Sequence, residues 1–224
     1  MLPLSVSVLN DLAAGTRHYG TDDSQNGSRG LDRPAERCPP SLSPGGPVPL
    51  SPMDVTHPAG VDTMRAARML SEVRSATLSG QRAPLAPRPV IEESWERVLR
   101  SGVDPDHGVR AGLLSGAEVQ RRRESSALRH VLPVLREGLL PFADTTRHTM
   151  VVADAGGRVL WWEGSAAVLR KADGLGFAVG ADWREDVVGT NGVGTPAVTG
   201  RPVQVFAAEH FMESHAAWTC AGAP

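Results

Sequence analysis

The sequence has little of what several common protein classes require. It contains two cysteines, Cys38 and Cys220, in 224 residues, which argues against a disulfide-stabilised scaffold and favours a reduced, cytoplasmic protein. No apolar run is long enough to span a bilayer, and the N-terminus lacks the basic segment of a signal peptide. The net charge is only −2, so the composition does not indicate a generally basic surface of the kind that binds nucleic acid.

Residues 1–60 are poor in apolar side chains that could form a core. Eight prolines lie between Pro34 and Pro58, separated largely by glycine and serine. Such a segment cannot bury enough apolar surface to offset the entropy lost on ordering, so we predict a disordered tail. An alternative is that translation starts at Met53 or Met64, in which case the residues upstream of that start are not part of the natural protein.

The remaining sequence divides into a helical segment over 61–116 and a sensor-like domain over 117–224. Periodic apolar residues predict helices over 62–79 and 91–101, with Trp95 on the apolar stripe of the second. A longer helical pattern covers 117–142, and Pro133 is expected to kink or split it. All four phenylalanines and four of the five tryptophans lie between residues 142 and 218, which places the main core there.

Strand patterns follow the helical ones. The runs MVVA and RVLWW, joined by DAGG, predict a hairpin whose adjacent Trp161 and Trp162 point to opposite sheet faces. Further strands are predicted at PVQVF and TCAGAP, with short helices over 165–174 and 208–217. These elements together predict an α+β fold.

The region 180–224 combines large aromatic side chains with groups that form hydrogen bonds. Aromatic walls with a few placed polar groups suit a small-molecule pocket. The alternative is that the aromatics only form core and the polar groups only cap turns. The candidate ligand-binding residues are Trp183, Glu185, Asn191, Thr195, His210, Phe211, Trp218 and Cys220.

The sequence predicts neither a cofactor nor a metal. GVGTPA (192–197) matches a dinucleotide pattern, but strand-like PVQVF follows too soon for the crossover helix that this motif needs. We predict instead that Thr195 is the N-cap of a one-turn helix with Pro196 at its first position. His210 and His215 would diverge by roughly 140° on a helix, which disfavours metal chelation.

Three blocks of the sequence resemble the sensory GAF domain of bacterial transcription regulators of the acetoin-catabolism activator type. They are IEESWERVLRSGVDP (91–105), VVADAGGRVLWWEG (151–164) and the region 180–224. The motifs SW-R, GTNG-GT, EHF and WTC are specific when they occur in this order. The resemblance covers residues from about 60 to 224.

The resemblance implies N-terminal helices followed by a GAF-like antiparallel sheet flanked by helices. It implies a module that senses an unidentified small-molecule effector, such as a diol, hydroxyketone or phenol, and it leaves homodimerisation open. DNA would be bound only through a Fis-type helix-turn-helix domain that this chain does not contain. A further strand and a closing helix would follow Pro224, so we expect a C-terminally incomplete sheet with an unpaired edge at MVVA or TCAGAP.

Two other functions remain open from the residues. The first is a GAF regulatory module of a signalling phosphatase or kinase. The second is a GAF-type methionine sulfoxide reductase, in which Cys220 would pair with His210 or His215. Cys220 as a small buried apolar residue is the alternative to that thiol chemistry.

Overall fold

A five-stranded antiparallel sheet forms the centre of the structure, a computed structural model that describes residues 5–11, 63–107, 112–146, 148–173 and 176–224, with the backbone alone for 5–11 and 142–146. The strands are β1 (Ser5–Asp11), β2 (His148–Ala153), β3 (Val159–Gly164), β4 (Val203–Phe206) and β5 (Trp218–Ala223). Their order in the sheet is β3-β2-β1-β5-β4, and every neighbouring pair is antiparallel.

Helices surround this sheet, so the predicted α+β class is confirmed. The helices are α1 (Thr63–Leu78), α2 (Pro89–Arg100), α3 (Gly116–Ser125), α4 (Leu128–Thr146), α5 (Ala166–Asp173), α6 (Glu185–Val188) and α7 (Gly194–Thr199). Among the described residues, no helix is both long and apolar enough to cross a bilayer.

The strand β1 contradicts two expectations from the sequence. Residues 1–60 were expected to form no element, but Ser5–Asp11 pairs with β2 on one side and β5 on the other. The segment SVSVLND alternates polar and apolar residues, a strand pattern that the proline-rich residues after it conceal. The expected unpaired edge at MVVA or TCAGAP is therefore also wrong, since both strands have partners.

The hairpin of β2 and β3 separates two apolar clusters, one on each face of the sheet. Trp161 packs with Leu128 and Leu132 of α4, whereas Trp162 packs against the larger cluster that contains Val151 and Trp218. The prediction that the two adjacent tryptophans face opposite sides is confirmed. The two faces therefore have different roles: α4 covers one, and the candidate site lies on the other.

Helix α2 belongs to the same core as the sheet. Its apolar stripe, Ile91, Trp95 and Val98, is buried in the cluster that contains Val151 and Trp218. The indole Nε1 of Trp95 donates to a backbone carbonyl at 3.0 Å, so this side chain packs against the fold, as predicted. Residues on both sides of the predicted boundary between 61–116 and 117–224 thus pack in one core.

The long helical pattern over 117–142 is interrupted, but the predicted split at Pro133 is wrong. The break falls at Ser126, whose extended backbone ends α3 and whose hydroxyl accepts from the backbone N–H of Leu128 at the start of α4. A serine that caps the next helix offers the backbone a local alternative to a continuous helix. Pro133 lies inside α4, about two helical turns beyond that break.

The predicted helix over 208–217 is also wrong. Trp95 and Arg74 donate to the carbonyls of Glu209 and Phe211, which a continuous helix would need for its own backbone bonds. These long-range donors come from α1 and α2 and cannot be inferred from the local pattern. The segment instead forms two single 3₁₀ turns, Ala207–Glu209 and Glu213–His215.

Candidate ligand-binding site

A small cavity lies between one face of the sheet and the chain that follows α5. Its volume is about 10 Å³, room for about one water molecule. Its lining is aromatic and aliphatic, which is typical of small-molecule sites. The lining residues are Val151, Val159, Trp162, Phe177, Ala178, Trp183, Gly192, Val193 and Cys220.

Aromatic rings form the wall of this region, and Phe177 lies among them. Its ring centroid is 4.0 Å from that of Trp183, 5.0 Å from His215, 5.6 Å from Trp218 and 6.0 Å from Trp162. Trp183 and His215 are stacked, with centroids 5.5 Å apart and planes 10° from parallel. We call these five residues the aromatic box.

Several polar atoms of the aromatic box have no partner among the described residues. The indole nitrogens of Trp162 and Trp218 and both ring nitrogens of His215 are buried without a hydrogen bond. Burial, with a smaller contribution from nearby His210, lowers the pKa of His215 to about 3, so its ring is neutral at pH 7. The box therefore offers hydrogen-bonding groups but no charge of its own.

The glycine-rich turn beside the cavity is held by Asn191. Its Nδ2 donates to the carbonyls of Gly189 (2.7 Å) and Trp183 (3.1 Å), and its Oδ1 accepts from the N–H groups of Val193 (2.7 Å) and Gly194 (2.8 Å). The side chain is fully buried. All four hydrogen-bonding positions of the amide are thus used by the backbone, and Asn191 positions cavity residues without needing a ligand.

Replacing Asn191 with alanine is expected to destabilise the protein by about 2–3 kcal/mol in the absence of any ligand. The substitution leaves buried backbone groups of the turn unpartnered, which is more costly than the loss of an exposed hydrogen bond. Urea unfolding at neutral pH measures this change. The control Gln120→Ala removes an exposed amide of α3 and should stay within about 0.5 kcal/mol. Equal stability of Asn191→Ala and the wild type would contradict a structural role for the amide.

Thr195 contributes to the same turn but is not the predicted N-cap. Helix α7 begins one residue earlier, at Gly194, and its N-cap Val193 has no side chain that can cap. The Thr195 hydroxyl instead accepts from the backbone N–H of Asn191 at 3.1 Å. Thr195 therefore does not cap the helix, because its hydroxyl oxygen is the acceptor for a backbone N–H of the turn.

Glu185 lies in a buried network beside α2 and does not line the cavity. Its carboxylate accepts from Arg97 Nε at 2.8 Å and Arg97 Nη2 at 3.1 Å, and also from the hydroxyl of Ser94. That hydroxyl is 2.6 Å from Thr190 Oγ1. A buried carboxylate paired in this way is stable only while its partners remain, so Glu185 ties α6 to α2.

His210 and Cys220 form a neutral hydrogen-bonded pair. His210 Nδ1 lies 2.9 Å from the carbonyl of Ala207 and must donate to it, which leaves Nε2 to accept from the Cys220 thiol at 3.1 Å. Burial lowers the pKa of His210 to about 4 and raises the pKa of Cys220 to about 12. The thiol is therefore protonated at neutral pH and lacks the thiolate that nucleophilic chemistry requires.

The structure separates the eight predicted site residues into groups. Trp183 and Cys220 line the cavity, and Trp218 belongs to the aromatic box beside it. Phe211 packs under the turn, so closely that a Cβ added to Gly189 would lie 2.5 Å from the Cβ of Phe211. The side chains that hold the backbone or the core in place around the cavity are Glu185, Asn191, Thr195 and His210.

Sequence reasoning missed three members of the aromatic box: Trp162, Phe177 and His215. Trp162 carried a usable signal, since one of two adjacent strand tryptophans must face away from α4. Phe177 lies in the irregular loop before Trp183, and no local pattern assigns it to the sheet face. His215 was placed on a helix that does not form, and in the structure its ring lies 6.2 Å from that of His210.

A second depression, of about 380 Å³, lies outside the box between α2, α6, α7 and the hairpin turn. It is polar at its edges, where Arg97 and Arg184 face Glu185 and Asp186. Its charges pair with one another within the chain. Among the described residues, no group of three or more histidine, cysteine, aspartate or glutamate side chains could hold a metal ion.

The fold is shared with a solved structure. One chain of the crystal structure of the E. coli DhaR(N)–DhaL complex superposes with a TM-score of 0.53 at 19% identity, over 61% of this chain and 52% of that one. At this identity the likeness shows the fold alone. It agrees with the predicted antiparallel sheet flanked by helices.

Curated relatives extend the comparison to sequence. An uncharacterised 47.3 kDa protein in the thcA 5′ region of Rhodococcus erythropolis is 35% identical over 74% of this chain and 39% of its own length. The acetoin dehydrogenase operon transcriptional activator AcoR of Bacillus subtilis is 32% identical over 60% of this chain and 22% of its own. The propane 2-monooxygenase operon transcriptional activator MimR of Mycolicibacterium goodii is 29% identical over 65% and 24%.

The chain thus spans two fifths or less of the length of these relatives. The resemblance to regulators of acetoin catabolism is confirmed, since AcoR is among the matches. Residues 66–224 match the family described as MimR, N-terminal domain, and that range includes α2, the hairpin, the glycine-rich turn and the whole aromatic box. The chain belongs to the MimR N-terminal domain family.

Proposed function

We propose that residues 66–224 are the small-molecule-sensing module of a bacterial transcriptional activator. Family membership supports this, because AcoR and MimR are both named as transcriptional activators. The chain corresponds to only a part of such relatives, so in this proposal DNA is contacted by another part of the regulator. The module's task is to change state when an effector binds.

The observation that carries the proposal is the aromatic box with its unpartnered polar atoms. Buried polar groups in folded proteins are almost always hydrogen-bonded, and leaving one unpaired costs about 1–3 kcal/mol. Here Trp162, Trp218 and His215 leave such groups unpaired beside a cavity. A bound effector that supplies the missing partners would recover this free energy, which couples binding to the stability of the module.

The module acts by binding and not by catalysis in this proposal. The reductase alternative needs a reactive thiol, whereas Cys220 is buried, protonated and donates to His210. Cys38, the other cysteine of the sequence, lies outside the described residues. The phosphatase or kinase alternative is less favoured, because the relatives AcoR and MimR are named as transcriptional activators.

A chimera tests the proposal directly. Residues 1–224 replace the matching N-terminal part of Bacillus subtilis AcoR, and a reporter follows the acetoin dehydrogenase operon promoter. Small neutral ketones, diols and alcohols are screened first for those that raise the melting temperature of the purified chain. A compound that raises it is expected to switch the reporter through the chimera at similar concentrations. A compound that binds the chain but leaves the reporter unchanged in a folded chimera contradicts the proposal.

Matched tryptophan variants connect the response to the site. Trp183→Phe shortens a wall of the aromatic box and should raise the half-maximal effector concentration about tenfold, the change expected when an anchoring aromatic contact is reduced. Trp161→Phe makes the same substitution on the opposite face of the sheet and should leave that concentration within about twofold. Equal effects of the two variants would show that the response does not pass through the aromatic box.

A further inference from the structure

Phe177 occupies the centre of the aromatic box. It is 3% exposed, and four rings surround it at centroid distances of 4.0–6.0 Å. The side chain reaches this position from the loop after α5, where its backbone N–H donates to the carbonyl of Ala172 at 3.3 Å. Most of the space that the box encloses is thus filled by one side chain, which explains why the remaining cavity is so small.

A phenyl ring is a poor partner for the atoms that surround it. The rings of Trp162, Trp218 and His215 all lie within 6.0 Å of the Phe177 centroid and carry four of the six unpartnered buried side-chain atoms among the described residues. The other two are the hydroxyls of Thr149 and Thr219. A hydrocarbon ring cannot form an ordinary hydrogen bond with these nitrogens, so Phe177 leaves them unsatisfied.

Three other buried side chains of this region have all their hydrogen-bonding groups satisfied. Trp95 donates its indole N–H to a carbonyl, Asn191 uses all four of its positions, and His210 uses both ring nitrogens. Four of the six unpartnered atoms among the described residues therefore lie on rings around Phe177, and the other two are threonine hydroxyls of the sheet. Unpaired buried groups of this kind call for a partner that the described residues do not supply.

The chemistry of the box restricts the occupant. Two indole N–H groups donate only, and a neutral imidazole has one donor and one acceptor. The residues that line the cavity carry no acidic or basic side chain that would balance a charged ligand. Lys171, whose Nζ lies 5.7 Å from the Trp218 ring centroid, is an exposed residue. The void that Phe177 would leave has the size of a phenyl ring.

We propose that Phe177 occupies the effector site, and that the effector is an uncharged molecule of about one ring in size whose oxygen accepts hydrogen bonds from the box as it displaces this side chain. That the bound molecule acts as an effector rests on the proposed function, but the existence of the binding site can be tested separately. Displacing Phe177 exchanges an apolar contact for hydrogen bonds that the empty protein cannot make. Binding is then coupled to movement of the loop segment that carries Phe177.

Binding of three probes to Phe177→Ala tests this inference. Cyclohexanone carries an acceptor oxygen, benzene lacks one, and cyclohexanecarboxylate is an anion of similar size. Tryptophan fluorescence and calorimetry are expected to show cyclohexanone binding about five- to tenfold more tightly than benzene, the ratio that one net hydrogen bond produces. The carboxylate should bind more weakly than either. Wild-type protein should bind cyclohexanone at least about tenfold more weakly than the variant, since its own ring must first leave.

A second variant guards against loss of folding, because removing a buried phenylalanine can cost about 3–5 kcal/mol. Phe177→Leu keeps part of the side chain and should give an intermediate affinity for cyclohexanone. Phe206→Leu makes the same substitution in a buried phenylalanine of another cluster and should leave the affinity unchanged. A circular dichroism spectrum and a melting curve confirm that each variant is folded.

Two outcomes overturn the inference. In the first, benzene binds the Phe177 variants as tightly as cyclohexanone, which shows an apolar packing void and no acceptor site. In the second, cyclohexanone binds the wild type and both variants equally, which shows that Phe177 does not occupy the site. Failure of the chimera reporter with a confirmed acceptor preference would instead reject the regulatory proposal and leave this site in place.

Discussion

Replacing Gly222 with alanine is expected to destabilise the protein by roughly 4 kcal/mol, enough to unfold a marginal domain. Gly222 lies on β5, directly under the glycine-rich turn. A Cβ at this position would overlap the carbonyl oxygen of Gly192 and would lie 3.0 Å from Pro196 Cγ. The obstructing atom belongs to the backbone of a turn that Asn191 fixes, so it cannot rotate away as a flexible side chain would.

The matched control is Gly138→Ala in α4. Gly138 is exposed inside a helix, and nothing lies within 4 Å of an added Cβ. The same substitution should there stabilise the protein by about 0.5–1 kcal/mol, because alanine favours the helix more than glycine does. Urea unfolding of both variants measures the two changes. A Gly222→Ala protein as stable as the wild type would mean that the turn is not packed against β5.

The close approach of Gly222 to the glycine-rich turn is a contact between separate segments, and such contacts could not be predicted from the sequence of this protein. The hairpin, the strands PVQVF and TCAGAP and the apolar stripe of α2 follow from patterns within one element, and each is confirmed. Contacts between distant segments decide the rest. The helix predicted over 208–217 is absent because Arg74, 137 residues before Phe211 in the chain, takes the carbonyl that such a helix would use.

The candidate site shows the same division. Polar and aromatic residues of 180–224 do surround a cavity, but local composition cannot tell a ligand contact from a support. Asn191 and Glu185 are polar residues whose hydrogen-bonding groups are taken up by the protein itself. Phe177 and His215 carry no sequence signal, yet they determine the chemistry of the box, because their roles depend on which atoms remain without partners after folding.

Acidification from pH 7 to pH 5 is expected to lower the free energy of unfolding by about 4 kcal/mol through two histidines. Burial lowers the pKa of His210 to about 4 and that of His215 to about 3, from an ordinary value of 6.5. Between those values the unfolded chain binds a proton at each histidine and the folded protein does not. Stability therefore falls as pH drops below 6.5, by about 1.4 kcal/mol per pH unit for each group.

The variant His215→Phe isolates one half of this effect. It removes a titrating group that makes no hydrogen bond among the described residues and keeps an aromatic ring against Trp183 and Phe177. The loss of stability between pH 7 and pH 5 should decrease to about 2 kcal/mol. His130→Gln, a change at an exposed residue of α4, should leave the full loss in place. Urea unfolding at several pH values between 7 and 5 measures the slope, and an unchanged slope in His215→Phe would show that His215 is protonated in the folded protein.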